Sequence, residues 1–476
     1  MFGIPTVYIA VVAFFTFLYY VRSQKPIRKE TFDDDFGNPS EFISPKNTGL
    51  WIGNGRITQE RSFLHCGLVA SSGGFKTSGF LLNSALTLDN VSIVCLDPAG
   101  ELLSKAGPEL AAKGFSLVVF DPENAERSVS FNPLERANSS TELSMLADAI
   151  FAQTQSQSTD LFWSQSGARL LVLLFRLQKK LPKEQQHLPN TLYLLTLLEG
   201  DLKQVDLLFS MFGDDDRLFA DYKAFIALDR KLSSSIISSC MAVLRIFSDE
   251  NIARVCATDT IAFETLRTKK QAVFLQINVL TSRYYAFILE ILCSQMFTAL
   301  MSHIPSEKEL PVFFLLDEAG SIKIPGLAEA LANFRKYAVS ITYAVQGISQ
   351  LVEIHGRENA NTIIKNTHNL IHCGGMDVAT AKDLETRLGR YTFENEEGKR
   401  ESRQLMTASE LIHLPEDTAL YLAGSAPAML IPICPYFKNQ KLLKKTQQLL
   451  PPIVGTAPQT VPYISIPKAS RLHVAS

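Results

Sequence analysis

The sequence predicts an α/β fold: a parallel sheet, an all-helical insertion within it, and an apolar helix ahead of both. Three observations point there. Short apolar runs of β character alternate with stretches of helical period, the signature of a parallel sheet with crossover helices. That alternation stops near Asn138 and returns beyond residue 262, and long apolar-rich stretches without β-branched alternation fill the gap. Residues 4–21 (IPTVYIAVVAFFTFLYYV) carry no charged side chain.

As a helix, residues 4–21 would extend roughly 27 Å, enough for a bilayer core. Tyr19 and Tyr20 stand where an interfacial aromatic belt would sit, and Arg22, Lys25, Arg28 and Lys29 follow at once. Nothing basic precedes the stretch except the amino terminus. The positive-inside rule therefore places the N-terminus outside and everything after Arg22 in the cytoplasm, as a single-pass anchor. A secretory signal peptide fits less well, because there is no basic n-region and no small-residue cleavage site.

An acidic, Asn/Pro-punctuated stretch over 31–47 reads as a linker. The β-like runs then follow as GLWIGN (49–54), FLHCGLVA (63–70), VSIVCLD (91–97) and FSLVVFD (115–121), with helical period over Ser78–Leu88 and Glu101–Lys113. Helical stretches over Thr141–Phe151, Leu161–Leu181, Thr191–Phe212 and Arg217–Phe247 come next, the first two separated by the polar breaker QTQSQSTD. The sheet pattern resumes at QAVFLQIN (271–278), PVFFLLD (311–317), VSITYAVQ (339–346) and NLIHCGG (369–375). Five prolines from Pro451 onwards, with little periodicity, predict a mobile tail. The expected divisions are 1–29 anchor and basic flank, 30–47 linker, 48–137 and 263–445 the two parts of the sheet domain, 138–262 an all-helical domain, and 446–476 the tail. No internal repeat is present.

Length allows about three domains, or one large domain with insertions. Apolar residues make 46% of the chain and charged residues 20%, which excludes whole-chain disorder and collagen-like repeats. Lys+Arg 46 against Asp+Glu 48 gives a net charge of −2, so a basic DNA-coating protein is excluded, while contact through local loops is not. Seven cysteines occur without a C-x-x-C pair. Cys66, Cys95, Cys293, Cys373 and Cys434 lie in apolar runs, where Cys is a small core hydrophobe. A reducing compartment and no structural zinc are expected.

Two segments carry chemistry. The run FLHCGLVA passes into SSGGFKTSG and then a helical stretch, the context of a phosphate-binding loop. There, backbone N–H groups cradle phosphates, a lysine reaches the β/γ oxygens and a hydroxyl holds Mg²⁺. Against G-x-x-x-x-G-K-[ST] the chain offers Ala70, then Ser71, Ser72, Gly73, Gly74, then Phe75-Lys76-Thr77. Both defining glycines are replaced, and a plain Gly-rich turn with a solvated lysine is the alternative. The second segment, PVFFLLDEAG, ends an apolar strand in Asp317-Glu318, the Walker B arrangement: one carboxylate for Mg²⁺ and its waters, one to polarise an attacking water. Acidic pairs also occur at ordinary solvated strand ends, but the two motifs occur in the right order on parallel-type strands. Downstream, Gln346 at a strand tip could sense a γ-phosphate. Arg335 could neutralise charge at a neighbouring subunit's site. A strand-end cap and a surface arginine are the plainer readings.

FFLLDEAGSIKIPGLAEALANFRKYAVSITYAVQGISQL resembles the core of the TraG/TraD-type coupling proteins of type IV secretion systems. VSIVCLDPAGE, FDPENAERSVSFNPL, NTIIKNTHNLIHCGGMDVATAKDLETRLGRYT and LMTASELIHLPEDTALYLAGSAPAMLIPICPYF extend the likeness collinearly over most of 48–437. The resemblance implies a RecA-like P-loop nucleotide-binding domain with an inserted all-α, substrate-facing domain. It implies an ATPase using ATP and Mg²⁺, hexameric and anchored in the bacterial inner membrane. The implied partners are other inner-membrane secretion components and relaxase–DNA complexes or protein effectors. By residue it implies Ser72, Gly73, Gly74, Phe75, Lys76 and Thr77 around the nucleotide, Thr77 and Asp317 on the metal, and Glu318, Gln346 and a trans-acting Arg335 in catalysis. The sequence departs from the family pattern at Ala70 and Phe75, at Ala99 where lysine is common, and in having one apolar segment where two are usual. A non-hydrolysing recruiting platform, and a DNA translocase or helicase outside secretion, are the competing readings.

Overall fold

The computed structural model describes residues 35–71, 73–152, 161–213, 215–394 and 398–465. The apolar segment 4–21 and its basic flank lie outside them. Among the described residues no helix is long and apolar enough to cross a membrane.

Among the described residues thirteen strands form, in chain order: β1 (Trp51–Ile52), β2 (Gly55–Arg56), β3 (Cys66–Val69), β4 (Ser92–Leu96), β5 (Ser116–Phe120), β6 (Gln271–Leu275), β7 (Val312–Leu316), β8 (Val339–Val345), β9 (Asn369–Cys373), β10 (Arg390–Glu394), β11 (Arg400–Gln404), β12 (Thr418–Ala423) and β13 (Met429–Pro432). Nine of them make one sheet in the order β13-β12-β9-β3-β8-β7-β4-β6-β5. Every pair from β9 to β5 is parallel, and β12 runs antiparallel to both β9 and β13. The fold is therefore mixed α/β with a large parallel sheet.

The central strands β3, β4, β6, β7, β8 and β9 are buried at every residue, which is why they read as continuous apolar runs. Their side chains alternate between two layers. Cys66, Leu68, Ile93, Cys95, Phe313 and Leu315 pack under the helices Leu82–Thr87 and Glu101–Ala112. Val69, Val94, Leu96, Phe314 and Tyr343 face the helices Ala286–Leu300 and Leu327–Asn333 and the helical region beyond. All seven cysteines are free thiols and six are buried.

Between β5 and β6 the described chain holds helices and no strand: Ser140–Ala152, Leu161–Gln178, Leu188–Gly200, Leu202–Ser210, Asp216–Ile226, Arg230–Leu244 and Glu250–Val255 are the longer ones. Two stretches expected as single helices are each divided. One breaks at Asp201, a non-helical residue after Gly200. The other breaks before Asp229, whose carboxylate accepts from the N–H groups of Lys231 and Leu232 to start a new helix.

The ends of the described chain correct two further expectations. Residues 35–47 do not form a free linker: Gly37 N–H donates to Ala428 O at 2.8 Å and Ser44 bridges Arg56, fixing the segment beside β13 and β2. Nor are residues 446–465 a mobile tail. Proline removes donors but leaves carbonyls, and this segment uses them, with Pro458 O and Pro462 O accepting from Arg254 and Asn190 and Ile464 buried in the core.

Candidate functional site

Parallel strands expose their carboxyl ends along one edge, where ligands of open α/β sheets bind. The order β3-β8-β7-β4 places four chain segments side by side there: the loop after Val69, Gln346 after β8, Asp317 after β7 and Asp97 after β4. Backbone bonds fasten the tips together, with Ala70 N–H on Val345 O, Ala319 N–H on Ala344 O and Asp317 N–H on Leu96 O.

The loop after β3 turns through Gly73, whose φ is +81°, a conformation open to glycine. Gly74 is needed for closeness instead, since a Cβ there would lie 2.8 Å from Ala70 Cβ. Phe75 adopts left-handed backbone, φ +58°, which costs a non-glycine residue about 1 kcal/mol. Its ring packs on Phe437, centroids 6.2 Å apart, under the Lys438 ammonium. A bulky residue stands where the motif wants glycine, yet its ring has its own apolar partner. Ser72 lies outside the described residues. Lys76 opens a one-and-a-half-turn π-helix, Lys76–Leu81, that continues as the helix Leu82–Thr87. Its Nζ is folded back onto Ala70 O at 2.7 Å and Ser71 O at 3.1 Å.

The next residue joins the two motifs. Thr77 Oγ1 donates to Asp317 Oδ2 at 2.8 Å across 240 positions of sequence. Burial pushes the Asp317 carboxyl up to about 6; the Thr77 hydroxyl opposes this in part, while Glu318 and Asp97 add to it. Burial lowers Lys76, and the charges of Glu318 and Asp317 hold it up. Glu318 is itself left-handed at φ +53°, and its carboxylate accepts from Ser321 Oγ at 3.3 Å. Strain of this kind clusters where function over-determines the backbone.

Gln346 is exposed at its strand tip, and its N–H donates to Gln350 Oε1 at 2.8 Å. Arg335 is not brought to this edge. It is exposed in the short helix Phe334–Tyr337 that precedes β8, so the length of that strand, roughly 20 Å or more, separates it from its own chain's Thr77 and Asp317.

Sequence reasoning missed two participants. Asp97 caps the next helix, its carboxylate oxygens accepting from Leu102 N–H at 3.0 Å and Leu103 N–H at 2.8 Å. Gln350 reaches Gln346 by passing over Gly320, where any Cβ would strike its side chain. The Gly after Asp-Glu-Ala was the available signal.

The donor set fits a magnesium–nucleotide pair. Mg²⁺ takes hard oxygen ligands, usually one or two from protein with phosphates and water supplying the rest. One hydroxyl and one carboxylate 2.8 Å apart, beside a buried lysine and a glycine turn, are such a set.

The family model described as type IV secretory system conjugative DNA transfer matches residues 24–454. The chain belongs to this family. Among relatives in the conjugative DNA transfer family, a probable conjugal transfer protein TraG of Sinorhizobium fredii is 23% identical, the match covering 75% of this chain and 60% of that protein. The type IV secretion system-coupling protein VirD4 of Bartonella henselae is 22% identical over 81% of this chain and 64% of its own length. The chain thus spans about three fifths of the length of these relatives. Plasmid coupling protein TrwB, in complex with the non-hydrolysable GTP analogue GDPNP, superposes with a TM-score of 0.63 at 19% identity, covering 91% of this chain and 99% of that one. TrwB in complex with ADP and Mg²⁺ gives 0.61 at 20% identity, covering 86% and 95%. These likenesses establish a shared fold.

Proposed function

We propose that the chain is a coupling protein of a type IV secretion or conjugation apparatus, an ATP-driven motor and substrate receptor. The observation that carries this reading is the Thr77–Asp317 contact beside buried Lys76, in a chain of the conjugative DNA transfer family. TrwB structures with nucleotide analogues and with ADP and Mg²⁺ support nucleotide binding on this fold.

In this reading Lys76 leaves the Ala70 and Ser71 carbonyls for the β/γ oxygens, and the N–H groups of Gly73 to Thr77 line the phosphates. Thr77 and Asp317 would hold Mg²⁺, which when bound would supply neutralisation of phosphate charge. Glu318 orients and polarises the attacking water, and Gln346, its backbone held by Gln350, senses the γ-phosphate. Arg335, too distant to act on its own chain's site, serves a neighbouring subunit in a hexamer. Residues 4–21 anchor the chain in the bacterial inner membrane, with the bulk in the cytoplasm. The all-helical domain 138–262 faces the substrate, relaxase-bound DNA or protein effectors, for delivery to inner-membrane components of the secretion channel.

Steady-state ATPase of the chain with and without single-stranded DNA tests this. Turnover that rises with DNA is expected. A second reading, a recruiting platform that does not hydrolyse ATP, is favoured by two features: left-handed Phe75 and a Lys76 already satisfied by loop carbonyls. Nucleotide binding without turnover under either condition would establish it in place of the motor.

A further inference from the structure

The segment following the last described helix, Gln440–Lys445, has no secondary structure of its own over 451–458, yet main chain and side chains of the body hold it along its length. Its seat has two halves. In the turn that follows the edge strand β5, Glu126 O accepts from Gly455 N–H at 2.8 Å and Ser128 O from Thr456 N–H at 2.9 Å, so main chain meets main chain. A Cβ at Gly455 would lie 2.7 Å from three carbonyls, those of Ala125, Glu126 and Ser128, so the seat admits main chain only. On the helical region, Arg254 Nε donates to Pro458 O at 2.8 Å while its guanidinium pairs with Glu126.

The far end is read by a buried amide. Asn190 Nδ2 donates to Pro462 O at 3.2 Å, and Asn190 Oδ1 accepts from Ile464 N–H at 3.1 Å, so one side chain pairs with the carbonyl and the amide of residues two apart. His187 Nδ1 accepts from Asn190 N–H, which leaves the proton on Nε2, and Nε2 donates to Pro462 O at 3.2 Å. Asn190 and His187 are fully buried beneath the strap. Tyr193 packs on Tyr463, ring centroids 5.7 Å apart, and Ile464 enters the core. Most of these contacts go to the strap's backbone, and one apolar side chain is swallowed. Leu449 and Val454, ahead of the seat, are 94% and 79% exposed.

We propose that the groove formed by Glu126–Ser128, Arg254, Asn190 and His187 is a docking site for an extended, proline-containing peptide with an aliphatic residue two positions after a proline, and that residues 455–464 occupy it in cis. Backbone reading makes the site tolerant of other sequences. Proline-stiffened extended chain loses little conformational entropy on docking. Because the strap touches both β5's flank and the helical region, displacing it frees those two parts from a common clasp. The proposal stands independently of nucleotide binding.

The test uses the full chain carrying Gly455→Val, which cannot seat its own strap, and a labelled synthetic peptide of residues 455–465 followed by fluorescence anisotropy. Saturable binding to the variant is expected, at least about tenfold tighter than to the parent, whose tethered strap competes at high effective concentration. Adding Asn190→Leu to Gly455→Val should abolish it. A folded Gly455→Val chain that binds no peptide, or a parent that binds it equally well, overturns the proposal. Should the variant not fold, hydrogen exchange in the parent decides: the amides of Gly455, Thr456 and Ile464 are expected to exchange well before those of β7, and equal protection would make the strap part of the core.

Discussion

Asp317 shows how a single residue carries the tension between stability and chemistry. Its carboxyl is pushed up to about 6, chiefly by burial, against a usual value of 3.8. A folded-state value above the unfolded one means that the folded chain holds the proton more tightly. The stability this provides is complete below about pH 4 and is lost as pH rises through about 6. At neutral pH the metal-free chain therefore keeps a carboxylate its surroundings disfavour. Asp317→Asn is expected to stabilise the metal-free chain at neutral pH by on the order of 2 kcal/mol, with the gain fading near pH 4. Thermal unfolding in chelator at the two pH values measures it; an equal effect at both would show that the charge is not the cause. Glu318 and Phe75 add strain at the same site, each at positive φ without being glycine.

Among the elements, Gly67 in β3 sits where the sheet leaves no room for a side chain. It stands opposite Tyr343 and Leu370, and a Cβ there would lie 2.7 Å from the Tyr343 hydroxyl and 2.9 Å from Leu370 Cδ2. Tyr343 is fully buried and central, so it cannot yield outwards. Gly67→Ala should cost about 1–3 kcal/mol, read as a lower urea midpoint with an unchanged slope. The elements also show what a sequence conceals. Strands buried on both faces, such as VFFLL in β7, announce themselves as apolar runs. The hairpin β10–β11 (RYTFE, RESRQ) buries no face and so leaves no apolar signal. Helix ends at Gly200 and before Asp229 were missed because apolar character continues across them. Lys76, Thr77, Asp317 and Glu318 were legible because each motif is local and adjoins a strand. Gln350, the cap made by Asp97, and the seat of residues 455–464 depend on segments meeting in space, which no spacing records.

At the scale of the whole molecule, one edge of the sheet gathers the nucleotide-site candidates, while Arg335 lies before the strand that ends in Gln346. Any catalytic part for Arg335 therefore belongs to an assembly. Mixing an Arg335→Ala chain with a Lys76→Ala chain should restore ATPase activity at interfaces that pair one intact site with one intact arginine. No recovery at any ratio, in assemblies verified to be mixed, would remove Arg335 from the mechanism.

The most direct test of the nucleotide site is a Mg-ATP titration of the chain alongside Lys76→Ala and Phe75→Gly. The loop geometry predicts weak, saturable binding by the parent and none by Lys76→Ala. Phe75→Gly should bind tighter, since it removes the side chain that stands where the loop must approach the phosphate. No saturable binding by the parent, and none created by Phe75→Gly, would contradict the reading of Lys76, Thr77 and Asp317 as a nucleotide site.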